Sequence, residues 1–183
     1  MKVVGTPLVG VWVVETAPFR DQRGIFTRLF CDLELRELLG SRKIIQINRS
    51  LTWTQGGIRG LHYQLPPFAE MKLIRCCRGK VWDVAVDLRR GSPSFGRWFA
   101  TELSQDNDRM LVVPEGCAHG FQALTPNCEM LYLHTAAYSP EHYGRVRWDD
   151  PLFGIRWPLP AQDLSVPDRD QPSLPPGFQG ISL

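Results

Sequence analysis

Over much of the chain apolar and polar positions alternate, the period expected of half-buried strands. The clearest stretch is Lys80 to Leu88, where Trp82, Val84, Val86 and Leu88 share one face while Asp83, Ala85 and Asp87 share the other. One face of this strand is therefore polar. A second β run begins at Met71, and the two flank Arg78-Gly79-Lys80, which reads as a hairpin turn. Further β runs are Leu8 to Glu15, Ile25 to Phe30, Ile44 to Asn48, Phe99 to Leu103, Met110 to Val113 and Met130 to Ala137. Helical spacing is confined to Leu33 to Leu39 (LELRELL), a short helix stopped by Gly40. Short strands punctuated by Gly, Pro, Ser and Asn predict a sandwich or barrel. The last 26 residues hold six of the fifteen prolines, so the segment 158–183 is expected to wrap the barrel irregularly.

Composition narrows the picture. With 183 residues, 43% of them hydrophobic, the chain suffices for one well-buried domain and hardly for two, so 1–183 is read as a single domain. The net charge of +2, from 21 basic and 19 acidic residues, gives no polybasic run that would track nucleic acid or an anionic membrane. A small anionic ligand fits better than a polymer. No stretch approaches the roughly 20 apolar residues of a membrane span, and no signal peptide is visible, so a cytoplasmic protein is expected. Cys31, Cys76, Cys77, Cys117 and Cys128 are odd in number, and the adjacent pair points to opposite faces of a strand; they read as reduced, structural thiols.

Candidate chemistry centres on two histidines, in RGLHYQ (Arg59 to Gln64) and PEGCAHGF (Pro114 to Phe121). The second string matches the cupin signature Pro-x-Gly-x-x-His, in which Pro114 and Gly116 shape a tight turn that delivers His119 into a barrel mouth. Metal-binding cupins pair this signature with an earlier His-x-His and a following Glu. Here that place reads His62-Tyr63-Gln64 with Glu70 further on, one imidazole short. A metal-dependent oxygenase or isomerase is thereby the runner-up. His134 and His142 belong to no recognisable motif and read as structural or exposed.

From near Asp21 through Pro172 the chain resembles the dTDP-4-dehydrorhamnose 3,5-epimerase family. The resemblance is carried by DQRGIF (Asp21 to Phe26), QINRS (Gln46 to Ser50), IRGLHYQLPP (Ile58 to Pro67), the string Lys72 to Trp98, VPEGCAHGFQAL (Val113 to Leu124) and RWDDPLFGIRWP (Arg147 to Pro158). It implies a cupin-like double-sheet jelly roll that forms a homodimer, with residues 1–50 contributing to the contact. It also implies a nucleotide-diphosphate-sugar substrate and neither metal nor organic cofactor.

Inverting a carbon beside a ketone needs a base on one face, a proton donor on the other, and stabilisation of the enolate between them. The resemblance assigns the base to His62, with Asp168 bonded to its second nitrogen, the donor to Tyr132, and the oxyanion cation to Lys72. The cupin signature adds His119, and Asp83, on the polar face of its strand with Ala85, is the candidate to orient it. For substrate binding the resemblance nominates Arg59 and Arg23 at phosphate, Gln46 and Asn48 for polar contacts, and Phe19 and Tyr138 for stacking.

Three departures from the family pattern are visible. Arg28 stands where an acidic residue is usual, Tyr143-Gly144-Arg145 replaces a usual Glu-Arg-Gly, and Ser165-Val166-Pro167-Asp168 carries Pro in place of a basic residue. Loss of two acidic groups near the presumed pocket rim opens the way to another nucleobase or sugar, or to inversion at C3 alone. The third function class is a non-catalytic cupin that only binds a sugar nucleotide.

Overall fold

The computed structural model describes all 183 residues, and its thirteen strands pair only antiparallel. In chain order these are β1 (Lys2–Gly5), β2 (Trp12–Glu15), β3 (Phe19–Asp21), β4 (Gly24–Phe26), the one-turn helix α1 (Arg36–Leu39), β5 (Gln46–Thr52) and β6 (Ile58–Gln64). There follow β7 (Lys72–Arg78), β8 (Lys80–Asp87), β9 (Trp98–Ser104), β10 (Arg109–Val113), β11 (Cys117–Ala123), β12 (Cys128–His134), β13 (Tyr143–Arg145) and the one-turn helix α2 (Val166–Arg169). A six-stranded sheet in the order β1-β2-β10-β7-β12-β5 packs on a five-stranded sheet in the order β13-β6-β11-β8-β9. β3 and β4 form a separate ribbon. This is the expected double-sheet jelly roll.

The two-residue period explains the three apolar clusters. Inward positions of both sheets, among them Val13, Ile74, Ala85, Leu111, Phe121 and Met130, form the shared core. Their alternates on the six-stranded sheet, such as Val14, Leu73, Val112 and Leu133, are covered by Leu35 and Leu39 around α1. Alternates on the five-stranded sheet, Val84, Val86, Leu88 and Leu61, are covered by Val146, Phe153 and the tail residues Leu174, Phe178 and Ile181. Each large side chain sealed in this way contributes about 1.5–3 kcal/mol. The polar face of β8 thus does not meet solvent; Asp83 and Asp87 are fully buried inside the barrel.

The structure corrects several sequence expectations. β7 and β8 are not a hairpin, because they belong to opposite sheets, and Arg78-Gly79-Lys80 is a corner at which the chain crosses between them. Gly79 has φ +75°, and a Cβ there would sit 2.6 Å from Thr125 Oγ1. A left-handed glycine looks the same in sequence whether the next strand folds back beside its predecessor or crosses the barrel. The helix keeps only Arg36–Leu39, with Gly40 as its C-cap at φ 61°. The run Ile25 to Phe30 contributes only β4, and Leu8 to Glu15 only β2. β6 and β11, which carry both motif histidines, were not legible as strands, since their glycines and polar inward residues break the apolar alternation.

The cysteines are all free. Cys76 and Cys117 are buried, and burial pushes each thiol up to about 12, which suits inert packing residues. Cys77 points outward and is exposed, so it has no packing role.

Candidate active site

One end of the barrel interior is apolar and the other opens into a cavity of about 650 Å³. Strand register builds its walls in layers. At the mouth of the six-stranded sheet, His134 of β12 pairs with Gln46 of β5 on one side and Lys72 of β7 on the other. One layer deeper, Tyr132 pairs with Asn48 and Ile74; below that, Met130 pairs with Ser50 and Cys76 and the apolar floor begins. The facing wall reads Arg145 of β13, His62 of β6, His119 of β11 and Ala85 of β8, each opposite the next.

Arg59 and His62 are three residues apart and would point to opposite faces of a regular strand. They share the cavity because β6 carries an extra residue: His62 pairs with His119 and Arg59 with Phe121, so three steps on β6 match two on β11. The strands approach closely there, and a Cβ on Gly120 would lie 2.7 Å from the Arg59 carbonyl oxygen. Arg59 then reaches across the barrel, its Nε donating to Thr52 Oγ1 at 2.8 Å.

Each imidazole in the cavity is engaged by a different carboxylate. His62 Nε2 donates to Asp168 Oδ1 at 2.7 Å, His119 Nε2 lies 2.5 Å from Asp83 Oδ1, and His134 Nδ1 lies 2.7 Å from Glu70 Oε2. No three His, Cys, Asp or Glu side chains converge in a metal-holding cluster. Asp168 is aimed by α2. Ser165 caps that turn, its Oγ accepting from the Asp168 N–H at 3.2 Å, and Pro167 is tolerated because the first helical turn has no internal use for its N–H.

The electrostatics divide the walls by task. Burial pulls His62 below its ordinary pKa although the hydrogen bond and charge of Asp168 resist, so the ring favours its neutral form with Nδ1 unpartnered. Burial would raise Asp168, but hydrogen bonds from His62 and Ser165 outweigh it and hold the carboxyl below its usual range. Burial also drives the Tyr132 phenol far above its ordinary value, against the opposing bond to Ser50 Oγ at 3.1 Å, which keeps it a proton carrier at neutral pH. Lys72 Nζ sits 3.3 Å from Glu70 Oε1 and 3.4 Å from the His62 carbonyl oxygen.

Of the residues nominated from sequence, His62, Asp168, Tyr132, Lys72, His119, Arg59, Gln46, Asn48 and Tyr138 line the cavity. Asp83 does not; it lies fully buried behind His119, with Oδ2 unpartnered and burial raising its pKa. Phe19 and Arg23 are not brought into this chain's cavity but stand on the exposed β3–β4 ribbon, where Arg23 pairs with Asp21 at 2.6 Å. Arg28 is likewise outside, paired with Glu34 at 2.5 Å, so that departure does not touch the cavity wall. Sequence reasoning took Glu70 only as a distant candidate metal ligand, read His134 as structural or exposed, met Tyr143 and Arg145 only as a departure from the family pattern, and did not nominate Ser50; all five line the cavity. The register of His134 two residues after Tyr132 on one strand was the available signal.

The double-sheet jelly roll, with imidazoles of one sheet and a protonated phenol of the other lining a single cavity, places the chain in the class of jelly-roll sugar-nucleotide epimerases. The chain belongs to the dTDP-4-dehydrorhamnose 3,5-epimerase family, whose sequence model matches residues 5–175. The dTDP-4-dehydrorhamnose 3,5-epimerase of Sinorhizobium fredii is 44% identical over 177 residues, covering 94% of this chain and 91% of that protein. The Bacillus anthracis dTDP-4-dehydrorhamnose 3,5-epimerase, crystallised with TDP and PPi bound, superposes with a TM-score of 0.90 at 40% identity, covering 94% of this chain and 99% of that one. The dTDP-6-deoxy-D-glucose-3,5-epimerase of Legionella pneumophila, in complex with dTDP-4-keto-L-rhamnose, gives 0.87 at 37% identity, covering 92% and 90%.

Proposed function

We propose that this enzyme inverts C3 and C5 of dTDP-4-keto-6-deoxyglucose through an enolate. His62 Nδ1 takes the proton from the carbon beside the C4 ketone, and the electron pair moves onto the C4 oxygen. Lys72 stabilises that oxyanion, an interaction comparable to the roughly 3 kcal/mol carried by one oxyanion-hole donor. Tyr132 returns a proton to the opposite face and is itself recharged from solvent, while His62 releases its proton to solvent. Asp168 holds the tautomer and steadies the imidazolium. The observation that carries this reading is topological: His62 belongs to the five-stranded sheet and Tyr132 to the six-stranded one, so the two reach a sugar in the cavity from opposite sides. The chemistry uses only protein groups, and arginine provides for the diphosphate through Arg59.

The reading extends to a homodimer in which the β3–β4 ribbon completes a neighbouring copy's cavity with Phe19 and Arg23. It is supported by the ribbon's exposed apolar side chains, Phe19, Ile25 and Phe26, at 62%, 60% and 72% exposure. A cytoplasmic setting suits the unpaired cysteines, and no helix is long and apolar enough to cross a membrane.

The test is incubation with dTDP-4-keto-6-deoxyglucose in deuterated water, followed by NMR. Uptake at C3 and C5 with formation of the L-sugar is expected. Uptake at C3 alone would establish a monoepimerase, and no uptake with tight binding a silent cupin.

A further inference from the structure

Arginine and lysine enter the cavity wall at Arg49, Arg59, Lys72 and Arg145; Arg49 is paired with Glu129, the mechanism above uses Arg59 and Lys72, and Arg145 is left without a role. Arg145 lies directly opposite His62 in the β13–β6 register. Its Nε is 3.6 Å from Asp168 Oδ1, the same oxygen that accepts from His62 Nε2 at 2.7 Å. That Nε is enclosed yet makes no hydrogen bond. The guanidinium carbon sits 4.8 Å from the centroid of the Tyr143 ring, and the Tyr143 ring lies 5.2 Å from the His62 imidazole. Arg145 is thus held between an aromatic face and the carboxylate that serves the base.

A carboxylate beside a catalytic imidazole acts in two opposed ways. It stabilises the imidazolium formed on proton abstraction, but it also favours protonation from solvent beforehand, and an imidazolium is no base. The charged and titratable groups facing His62 are Asp168 from α2, Lys72 from β7, and Arg145 and the Tyr143 phenol from β13, with His119 alongside on β11. Asp168 alone among them is anionic at neutral pH. We propose that Arg145 is a positioning residue for the base: by sharing the Asp168 carboxylate it keeps the His62 imidazole neutral before the reaction and keeps the carboxylate aimed at Nε2. This rests on His62 being the base. The downward displacement of the His62 pKa agrees with it, burial being the first cause and the charges of Lys72 and Arg145 acting in the same direction against Asp168.

The test follows the nitrogen-15 resonances of the His62 ring through a pH titration of the wild type, Arg145→Gln and Arg145→Lys, beside the pH profile of kcat/KM. Arg145→Gly serves as a second neutral variant should the glutamine destabilise β13. In the neutral variants the His62 titration and the acid limb of kcat/KM should move together to higher pH by about 0.5–1 unit, as for a cation removed from nearby. Arg145→Lys should restore the wild-type position. Damage that is merely structural lowers the rate at every pH and moves neither midpoint. An unmoved His62 titration overturns the proposal, as does a rise in KM alone, which would make Arg145 a substrate phosphate ligand. His62→Ala separates the two levels. Persistent deuterium exchange in that variant removes the base assignment itself, whereas an inactive His62→Ala with an unmoved titration in Arg145→Gln removes only the role of Arg145.

Discussion

Replacing Asp168 by Asn keeps the volume and one carbonyl acceptor but deletes a charge. The carboxylate oxygen is 2.7 Å from His62 Nε2, and when the imidazole takes the substrate proton its new charge faces the carboxylate. Across roughly 4 Å at an effective dielectric near 20, that attraction is about 4 kcal/mol, or about three powers of ten in rate if fully expressed in the transition state. Arg145, 3.6 Å from the same oxygen, shares the carboxylate and reduces what the imidazolium gains. The expected loss in kcat is therefore about 10²- to 10³-fold, with affinity for dTDP changed little, because Asp168 serves the base and Arg59 the diphosphate. The assay is deuterium uptake at C3 and C5 at saturating substrate, with calorimetry for dTDP and a thermal melt to show that the variant is folded. A folded Asp168→Asn enzyme within threefold of the wild-type rate would refute the role of the carboxylate.

The same residue makes a stability prediction. Its folded pKa lies below the ordinary value, so its contribution is present above about pH 4, the range of an unfolded aspartate, and is lost as pH falls through the folded pKa. Denaturant titrations should show the gap between wild type and Asp168→Asn narrowing on acidification below about pH 4; a widening gap contradicts the sign. Tyr132→Phe retains the ring and deletes the acid, so it should return deuterium from the His62 side into substrate of unchanged configuration, with epimer formation down about 10²- to 10⁴-fold; near-normal epimer would assign the donor elsewhere. Gly120→Ala forces a Cβ to 2.7 Å from the Arg59 carbonyl oxygen and 2.8 Å from Leu61 Cδ2, and should cost about 1–3 kcal/mol in a chemical melt; an unaffected midpoint would mean that β6 and β11 yield there freely. Exhaustive chelation should leave turnover unchanged, and activity restored by one divalent ion would overturn the side-chain mechanism.

The amino-acid pattern alone determined the β architecture, the helix stop at Gly40, the irregular proline-rich tail and the polar face of β8, because each follows from local periodicity or backbone preference. The motif strings also pointed to His62, His119 and Lys72, and the cavity wall contains all three. Two kinds of fact were decided only by the tertiary structure. Which sheet a strand joins is invisible locally, so the Gly79 corner resembled a hairpin, and only the assembled barrel sets His62 against Tyr132 from opposite walls. Partnerships across the chain are likewise non-local: Asp168 lies 106 residues beyond His62 and meets it because Ser165 caps a single turn of helix. Glu70 was visible only as a distant Glu after the broken His-x-His and His134 lay in no motif, and their pairing depends on the loop before β7 meeting the end of β12. The bulge in β6 is the sharpest case. Alternation assigns Arg59 and His62 to opposite faces, and only one extra residue in the β6–β11 register, permitted by the close approach of Gly60 and Gly120, turns both into the same cavity.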